Sequence, residues 1–260
     1  MQILKAKDYE EMSRIACNLL VEHIQQNESP VLGLATGSTP EGLYRCLIEE
    51  YKKGKVSFHN MSTFNLDEYV GLGVEDANSY QWYMTDKLFA HIDVPTRQIH
   101  LPNGISQEVE QDCLDYERQI QEAGGIDIQV LGLGLNGHIG FNEPGTPFSS
   151  RTHAVELAQS TRRANARFFS GIEEVPTQAI SMGIASIMES KKILLLVSGK
   201  EKAEALYQMM NSEVSESFPA SILQTHPDVT VIADELALSK VLEFYGEDGG
   251  IPEVEEGKAR

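Results

Sequence analysis

Short apolar runs alternate with amphipathic stretches along most of this chain. Buried strands are predicted at residues 31–35, 61–66, 126–132, 192–197 and 229–233. Helices are predicted from the spacing of apolar positions at residues 41–53, 79–89, 108–123 and 200–210. This alternation predicts an α/β fold with a mostly parallel, doubly wound, Rossmann-like sheet and helices on both faces. In such sheets, ligands bind beyond the carboxyl ends of the strands.

Length and composition indicate one folded unit. The chain has 260 residues, 41% of them hydrophobic and 23% charged, which suits one large domain with a sizeable core. No repeat or linker divides it, so residues 1–245 are expected to form a single α/β domain. Residues 246–260 are rich in glycine and glutamate and contain few apolar side chains. They are predicted to form a flexible acidic tail.

Charge and targeting signals exclude several classes of partner. A formal net charge of −18 argues against binding to nucleic acid or to an anionic membrane, because both are negatively charged. Acidic residues interrupt the N-terminal stretch where a signal peptide needs apolar ones, and no apolar run approaches the roughly 18 residues of a membrane span. We therefore expect a cytoplasmic protein. Cys17, Cys46 and Cys113 form no CxxC pair, which argues against a disulfide framework and against structural zinc.

The first unusual strand end reads ATGSTPE at residues 35–41. Glycine permits close backbone approach, proline suits the start of a helix, and Ser38 with Glu41 matches a capping box. Backbone N–H groups at a helix start bind anions, so phosphate is the natural ligand for this turn. An ordinary capped turn between strand and helix explains the same pattern equally well.

Two adjacent carboxylates, Asp67 and Glu68, directly follow the second predicted strand. A carboxylate in a partly dry cleft at a strand end is suited to act as a general base. The two side chains should point in different directions, so only one of them is expected to reach a ligand. A surface turn would also place acidic residues here, and the sequence leaves that alternative open.

The most specific motif is GLGLNGHIGFNEP at residues 132–144. It lacks the GxGxxG spacing with a following helix, which argues against a dinucleotide fold. His138 and Glu143 alone are too few ligands for a metal site. Acid–base catalysis fits better, because histidine titrates near neutral pH and Glu143 or Asn136 can fix its tautomer. A purely structural histidine is the competing interpretation.

Two basic residues complete the set of candidates. Lys202, in SGKEK at residues 198–202, follows a predicted strand and opens a helix, so it is a candidate phosphate ligand. Arg167 lies in an arginine-rich stretch at residues 161–169. Lys200 is interpreted as a solvated surface residue, which is also the competing interpretation of the other two.

Five motifs, in this order, resemble the glucosamine-6-phosphate deaminase (isomerase) family: TGSTP (36–40), FNLDEYVGL (64–72), GLNGHIGFNEPG (134–145), RANARFF (163–169) and SGKEKA (198–203). The resemblance extends to about residue 242. It implies conversion of glucosamine 6-phosphate and water into fructose 6-phosphate and ammonia, with no cofactor and no metal.

The resemblance also implies a role for each motif. Asp67 would move a proton between C2 and C1 of the sugar. His138 would open the pyranose ring at O5, with Asn136 orienting it and Glu143 tuning its charge. The substrate phosphate is expected to be bound by Gly37, Ser38, Thr39, Arg167 and Lys202.

The chain departs from the family pattern at two places. Asn136 stands where many members have Asp, and the loss of that negative charge should lower the pKa of His138. His153 and Val155 stand where hexameric members activated by N-acetylglucosamine 6-phosphate carry basic effector ligands, so activation is expected to be weak or absent. A homo-oligomer remains open, since shorter, non-allosteric members need not form the hexamer.

Two other functions compete with this interpretation. The 6-phosphogluconolactonases resemble the expected fold and carry a glycine-rich strand end followed by histidine, but typically lack the counterpart of Glu143. A non-catalytic sugar-phosphate sensor would need the phosphate pocket but not Asp67, His138 and Glu143. The presence of all three favours the deaminase.

Overall fold

A computed structural model describes residues 1–166, 169–245 and 254–256 of the chain. Its strands are β1 (Gln2–Ala6), β2 (Val31–Leu34), β3 (Ser62–Asn65), β4 (Asp67–Tyr69), β5 (Ile99–His100), β6 (Ile128–Gly132), β7 (His153–Glu156), β8 (Gln178–Ser181), β9 (Lys192–Val197), β10 (Val229–Asp234) and β11 (Val254–Glu256). Its α-helices are α1 (Tyr9–Gln26), α2 (Glu41–Lys52), α3 (Tyr80–Lys87), α4 (Val109–Glu122), α5 (Gln159–Asn165), α6 (Ile184–Met188), α7 (Ala203–Asn211) and α8 (Glu235–Tyr245).

The strands form two sheets within these described residues. The larger sheet has the order β11-β1-β10-β9-β6-β2-β3-β5, and all its pairings are parallel. The smaller sheet, β4-β8-β7, is antiparallel. The mostly parallel, Rossmann-like α/β fold predicted from the sequence is therefore confirmed. The smaller sheet, β1, α1 and α8 were not predicted.

Apolar side chains of alternate strand residues pack against helices on opposite faces of the larger sheet. Ile193, Leu195 and Val197 of β9 pack into a cluster with α4, α7 and α8. Leu194 and Leu196 pack into a second cluster with α1, α2 and α3. Because successive side chains of a strand point to opposite faces, a continuous apolar run is what a strand buried on both sides requires.

The direction of winding reverses between β2 and β6. The chain adds β3 and β5 on one side of β2, then returns to β6 on the other side and continues outward to β9 and β10. β2 and β6 pair only through Leu32 with Ile128 and Gly33 with Gln129, so the last three residues of β6 extend beyond β2 and pair with β9 alone. A crevice at such a reversal is where doubly wound folds bind ligands.

The predicted acidic tail, residues 246–260, is described only in part. Val254–Glu256 form an edge strand that pairs in parallel with β1, in register Ile3 with Val254. This segment therefore extends the larger sheet, which the composition of the tail did not predict. The other tail residues, and Arg167, lie outside the described part of the chain.

Candidate active site

The four candidate motifs meet at one edge of the larger sheet. β9, β6, β2 and β3 are consecutive neighbours and parallel, so their carboxyl ends lie side by side. These ends lead, respectively, to Lys202, to the loop with His138, to residues 37–39 and to Asp67. The topology thus brings together residues that are up to 165 positions apart in the sequence. In the sequence, their position after predicted strands was the feature that they shared.

His138 belongs to a hydrogen-bonded relay with Asn136 and Glu143. Nδ1 of His138 lies 2.7 Å from Oδ1 of Asn136, and Nδ2 of Asn136 donates to Oε2 of Glu143 at 2.7 Å. Because an amide oxygen only accepts, the neutral imidazole carries its proton on Nδ1 and keeps a lone pair on Nε2. The His138 side chain is 33% exposed, so a ligand can reach it.

The charge of His138 is set by burial and by two opposite neighbours. Burial lowers its pKa below the ordinary value, Glu143 raises it, and the positive charge of Lys202 lowers it. Nδ1 lies 3.9 Å from Oε2 of Glu143, with Asn136 bonded to both groups. The histidine is therefore held mainly neutral near pH 7, ready to accept a proton at Nε2.

Two glycines of the motif are required by its geometry. A methyl group on Gly134 would lie 2.4 Å from ring atoms of His138, so only glycine lets the imidazole fold back over the strand end. Gly137 has φ +82°, in the left-handed region, and a methyl group there would also lie 2.6 Å from the ring of Phe218. The glycine density seen in the sequence is thus the space that the histidine needs.

Asp67 lies where the chain passes from the larger sheet into the smaller one. It begins β4 and pairs with Ser181 of β8. The residue as a whole is 7% exposed, and its carboxylate accepts no hydrogen bond from the described residues. Burial, with a smaller effect from the charge of Glu68, raises the pKa of Asp67 to about 8. A carboxyl group in this state is a stronger base than an ordinary aspartate once it is ionised.

Glu68 has a structural role, as the sequence suggested for one of the two acids. Its carboxylate accepts hydrogen bonds from the backbone N–H groups of Tyr69, Tyr80 and Gln81, at 2.8, 2.9 and 2.9 Å. Two of these donors lie in the first turn of α3, so Glu68 caps that helix. These contacts occupy both carboxylate oxygens of Glu68, so its side chain holds the helix start in place.

The loop after His138 approaches Asp67 directly. A methyl group on Gly140 would lie 3.8 Å from Oδ2 of Asp67 and 3.1 Å from Oγ of Ser181. The backbone N–H of Phe141 donates to the same Ser181 hydroxyl at 3.1 Å. Since Ser181 pairs with Asp67, this contact fixes the histidine loop against the strand that carries the carboxylate.

Residues 37–39 form the turn between β2 and α2. Gly37 has φ +95°, which explains the glycine, and its carbonyl accepts from the Tyr83 hydroxyl at 2.6 Å. The carbonyl of Ser38 accepts from the Tyr9 hydroxyl at 2.9 Å, which in turn accepts from the N–H of Gly42 at 2.7 Å. The capping box predicted for Ser38 and Glu41 is wrong, because the N-cap residue of α2 is Pro40 and the Tyr9 hydroxyl accepts from the first turn instead.

Lys202 extends toward the histidine loop from a 3-10 turn, Lys200–Lys202, after β9. Its Nζ donates to the carbonyl of Leu133 at 2.8 Å. The preceding turn is held by Asp234 of β10, which is 4% exposed and accepts from Oγ of Ser198 at 2.5 Å and from the N–H of Gly199 at 3.0 Å. Asp234 therefore sets the position of the lysine.

Two residues of the site were missed from the sequence. Thr161 donates its hydroxyl to Oε1 of Glu143 from α5, and no spacing links residues 18 positions apart on separate elements. Asp234 had a detectable signal, because an aspartate between an apolar strand and a helix matches a helix cap, and it also accepts from the N–H of Ala237 at 2.8 Å.

The described ranges contain neither a metal-binding cluster nor a membrane-spanning helix. No group of three or more His, Cys, Asp or Glu side chains there is arranged to hold a metal ion. None of the helices in this part of the chain combines the length and apolar character needed to cross a bilayer.

Fold and site together define an α/β enzyme whose buried carboxylate and hydrogen-bonded histidine are suited to acid–base catalysis. The chain belongs to the family described as glucosamine-6-phosphate isomerases/6-phosphogluconolactonase, whose profile matches residues 6–232. It is 61% identical over 241 residues to the glucosamine-6-phosphate deaminase of Oceanobacillus iheyensis, covering 93% of this chain and 96% of that one. It is also 61% identical over 239 residues to the deaminase of Shouchella clausii, covering 92% and 97%.

Among solved structures, a deaminase is much more similar to this chain in sequence than a lactonase is. A monomeric glucosamine-6-phosphate deaminase superposes with a TM-score of 0.90 at 50% identity, covering 92% of this chain and 100% of that one. A 6-phosphogluconolactonase from Trypanosoma cruzi superposes with a TM-score of 0.76 at 20% identity, covering 92% and 96%. At that identity the lactonase shares the fold, and nothing about its reaction follows for this chain.

Proposed function

We propose that this protein is a glucosamine-6-phosphate deaminase. The reaction converts glucosamine 6-phosphate and water into fructose 6-phosphate and ammonia, without net oxidation or reduction. The observation that carries the proposal is the approach of a buried carboxylate, Asp67, to the loop that holds His138, Asn136 and Glu143. The identity of 61% to two proteins named as deaminases supports the same substrate.

The relay suits the opening of the pyranose ring. Opening requires a proton to leave the O1 hydroxyl and a proton to reach the ring oxygen O5. Nε2 of neutral His138 can accept the first proton and return it to O5. The imidazolium formed between the two transfers is stabilised by Asn136, through Nδ1, and by the negative charge of Glu143 3.9 Å away.

Asp67 suits the isomerisation that follows ring opening. Its carboxylate takes the proton from C2 of the open-chain aldehyde and returns it to C1, while the carbonyl oxygen O1 gains a proton and the nitrogen loses one, so that a C=N bond at C2 replaces the C=O bond at C1. Water then hydrolyses the resulting ketimine and releases ammonia. The pKa of about 8 makes Asp67 a stronger base than an exposed carboxylate, and the ammonium group at C2 favours its ionised form by charge attraction.

The sugar phosphate is proposed to bind at residues 37–39 and Lys202, with Arg167 as a further ligand. The turn before α2 brings backbone N–H groups to one side of the crevice, and Lys202 brings a positive charge to the other. An anchored phosphate would fix the far end of the sugar, so that one carboxylate reaches two adjacent carbons.

We infer that each chain carries a complete site and acts in the cytoplasm. Asp67, Asn136, His138, Glu143 and Thr161 come from one chain, and the solved relative at 50% identity is a monomer by its description. Its three cysteines are free thiols, which fits a reducing compartment. Whether a homo-oligomer also forms stays a prediction that light scattering can test.

Turnover tests the proposal directly. Purified wild type and Asp67→Asn are assayed for ammonia and fructose 6-phosphate from glucosamine 6-phosphate, with 6-phosphogluconolactone hydrolysis as the control reaction. We expect stoichiometric release of both products by wild type and loss of both in the variant. Lactone hydrolysis without ammonia would mean a lactonase, and tight sugar-phosphate binding without either reaction would mean a sensor.

A further inference from the structure

We propose that Thr161 is a positioning residue that locks Glu143 into the histidine relay and makes ring opening depend on α5. This inference rests on the proposed deaminase function for its kinetic consequences, but its structural consequence for His138 does not. The two carboxylate oxygens of Glu143 have different donors. Oε2 accepts from Asn136, in the same loop, and Oε1 accepts from the Thr161 hydroxyl on α5.

A carboxylate held at one oxygen can still rotate about its terminal bond. The bond from Asn136 alone would leave Oε1 without a described donor and Glu143 free to turn away from Nδ1 of His138. The Glu143 side chain is 17% exposed, so its hydration does not replace the missing donor fully. Two donors from two segments therefore fix both the orientation of the carboxylate and its 3.9 Å distance from Nδ1.

α5 is itself fixed to both halves of the site. Asn165, at its last turn, donates to the Tyr69 hydroxyl at 2.9 Å, and Tyr69 lies two residues after Asp67 on β4. Arg162 anchors the first part of the helix by donating to the carbonyls of Ile172 at 3.0 Å and Val175 at 2.8 Å. Thr161 is thus presented from an element that touches the strand of the base as well as the relay.

The charged groups that face the imidazole are Glu143 on its own loop and Lys202 on the turn after β9, as well as the polar Asn136 amide. Burial and Lys202 both favour neutral histidine, and Glu143 alone opposes them. Removal of the Thr161 hydroxyl should let Glu143 move away, so the histidine loses its opposing charge and titrates at lower pH. The imidazolium formed during ring opening would be destabilised for the same reason.

The test compares Thr161→Val, which keeps the shape, with Thr161→Ser, which keeps the hydroxyl. Thr85→Val on α3 is the matched control, because among the described residues the Thr85 hydroxyl bonds within its own helix, to the carbonyl of Gln81 at 2.8 Å. Thr161→Ala is a second variant in case the valine does not fold. His138 is titrated by proton NMR in the ligand-free proteins, with its resonance assigned from His138→Gln.

We expect Thr161→Val to lower the pKa of His138 and to reduce kcat about tenfold with KM within about twofold, and Thr161→Ser to stay within about threefold of wild type. Thr85→Val should change neither readout. A His138 titration and kcat in Thr161→Val equal to wild type would overturn the inference, as would an equal loss in Thr161→Ser. A shifted titration in proteins that release no ammonia would support the positioning role and contradict the deaminase.

Discussion

At the scale of single residues, Asp67 is the side chain whose state depends most on the fold. The residue is 7% exposed, and its carboxylate accepts no described hydrogen bond. Its pKa is therefore raised to about 8, so it keeps its proton up to that pH. An unfolded aspartate loses its proton near pH 4. Between these values the native state binds more protons than the unfolded state, so stability should fall as pH rises across this window. The base is therefore maintained at a cost in stability.

The substitution Asp67→Asn should remove this cost, because asparagine does not titrate. The variant is expected to be close to wild type in stability near pH 4.5 and more stable by roughly 1–3 kcal/mol at pH 8.5. Urea unfolding of both proteins at pH 4.5, 6, 7 and 8.5 measures the difference. A difference that stays constant over this range would contradict the raised pKa of Asp67.

Asn136 has a second function that its sequence position did not indicate. From the sequence it was expected only to orient His138, but its amide also donates to Glu143, which a carboxylate at this position cannot do. Asn136→Asp should raise the pKa of His138 by adding a negative charge next to Nδ1, and it should also repel Glu143. The acidic limb of the pH profile of kcat/KM should therefore move.

A second substitution should partly reverse the effect of Asn136→Asp on stability. Adding Glu143→Gln to Asn136→Asp restores a donor between the two side chains and removes the repulsion, so it should recover part of the stability lost in the single variant. His138 titration by NMR and thermal unfolding of the three proteins provide the readouts. A pH profile of Asn136→Asp indistinguishable from wild type would show that residue 136 does not tune the histidine.

At the scale of elements, the loop between β6 and β7 is shaped by what its glycines leave open. A methyl group at residue 134 would overlap the His138 ring at 2.4 Å. Gly134→Ala should therefore displace the imidazole and lower kcat by about 100-fold, with a much smaller effect on the melting temperature. Gly132→Ala is the control, because a methyl group there meets no atom within 4 Å. Equal kinetics in the two variants would contradict this explanation of the motif.

The elements that the sequence revealed are those buried on both faces. β2, β6, β9 and β10 were detectable because each is a mostly apolar run in which nearly every residue is buried, and candidate chemistry follows the first three of them. β4 has three residues and β7 alternates partly buried with exposed ones, so neither rises above the pattern of a loop. Both strands form because they pair with β8, which is distant in the sequence from β4, and such pairing cannot be read from a short local pattern.

The candidate site, like the fold, was predictable from the sequence only in part. Asp67, His138 and Lys202 stand at strand ends and could be found from chemistry and spacing. Thr161 could not be found, because its contact with Glu143 depends on how α5 packs against a loop 18 residues earlier. The failed capping box has a related cause, since α2 begins at Glu41 with Pro40 as its N-cap residue, and the first-turn N–H of Gly42 is bound by Tyr9 from another helix.

At the scale of the whole molecule, the reversal of winding between β2 and β6 decides where the site lies. A chain with a net charge of −18 would repel a phosphorylated sugar over long distances. In the proposed complex, Lys202 and the backbone N–H groups of a helix start would oppose this field locally in the crevice. The topology would then supply the phosphate affinity that the overall charge does not.

The same scale bears on regulation. His153 and Val155 lie on β7 of the smaller sheet, where Nδ1 of His153 contacts the carbonyl of Arg151 at 2.7 Å and Val155 packs beside the cluster of Tyr69 and Phe141. Neither residue offers a permanent positive charge to an anionic effector. We expect a hyperbolic substrate curve that N-acetylglucosamine 6-phosphate leaves unchanged. A shift from sigmoidal to hyperbolic kinetics on its addition would be the contrary result.

The central claim is that the site has two separable halves, a relay that opens the ring and a carboxylate that moves the proton. Exchange between the α and β anomers of glucosamine 6-phosphate, followed by two-dimensional NMR, measures ring opening alone. Asp67→Asn should accelerate anomer exchange above the uncatalysed rate although it forms no fructose 6-phosphate. His138→Gln should not accelerate the exchange above that rate. If Asp67→Asn leaves anomer exchange at the uncatalysed rate, or if His138→Gln still accelerates it, the division of roles between the two halves is wrong.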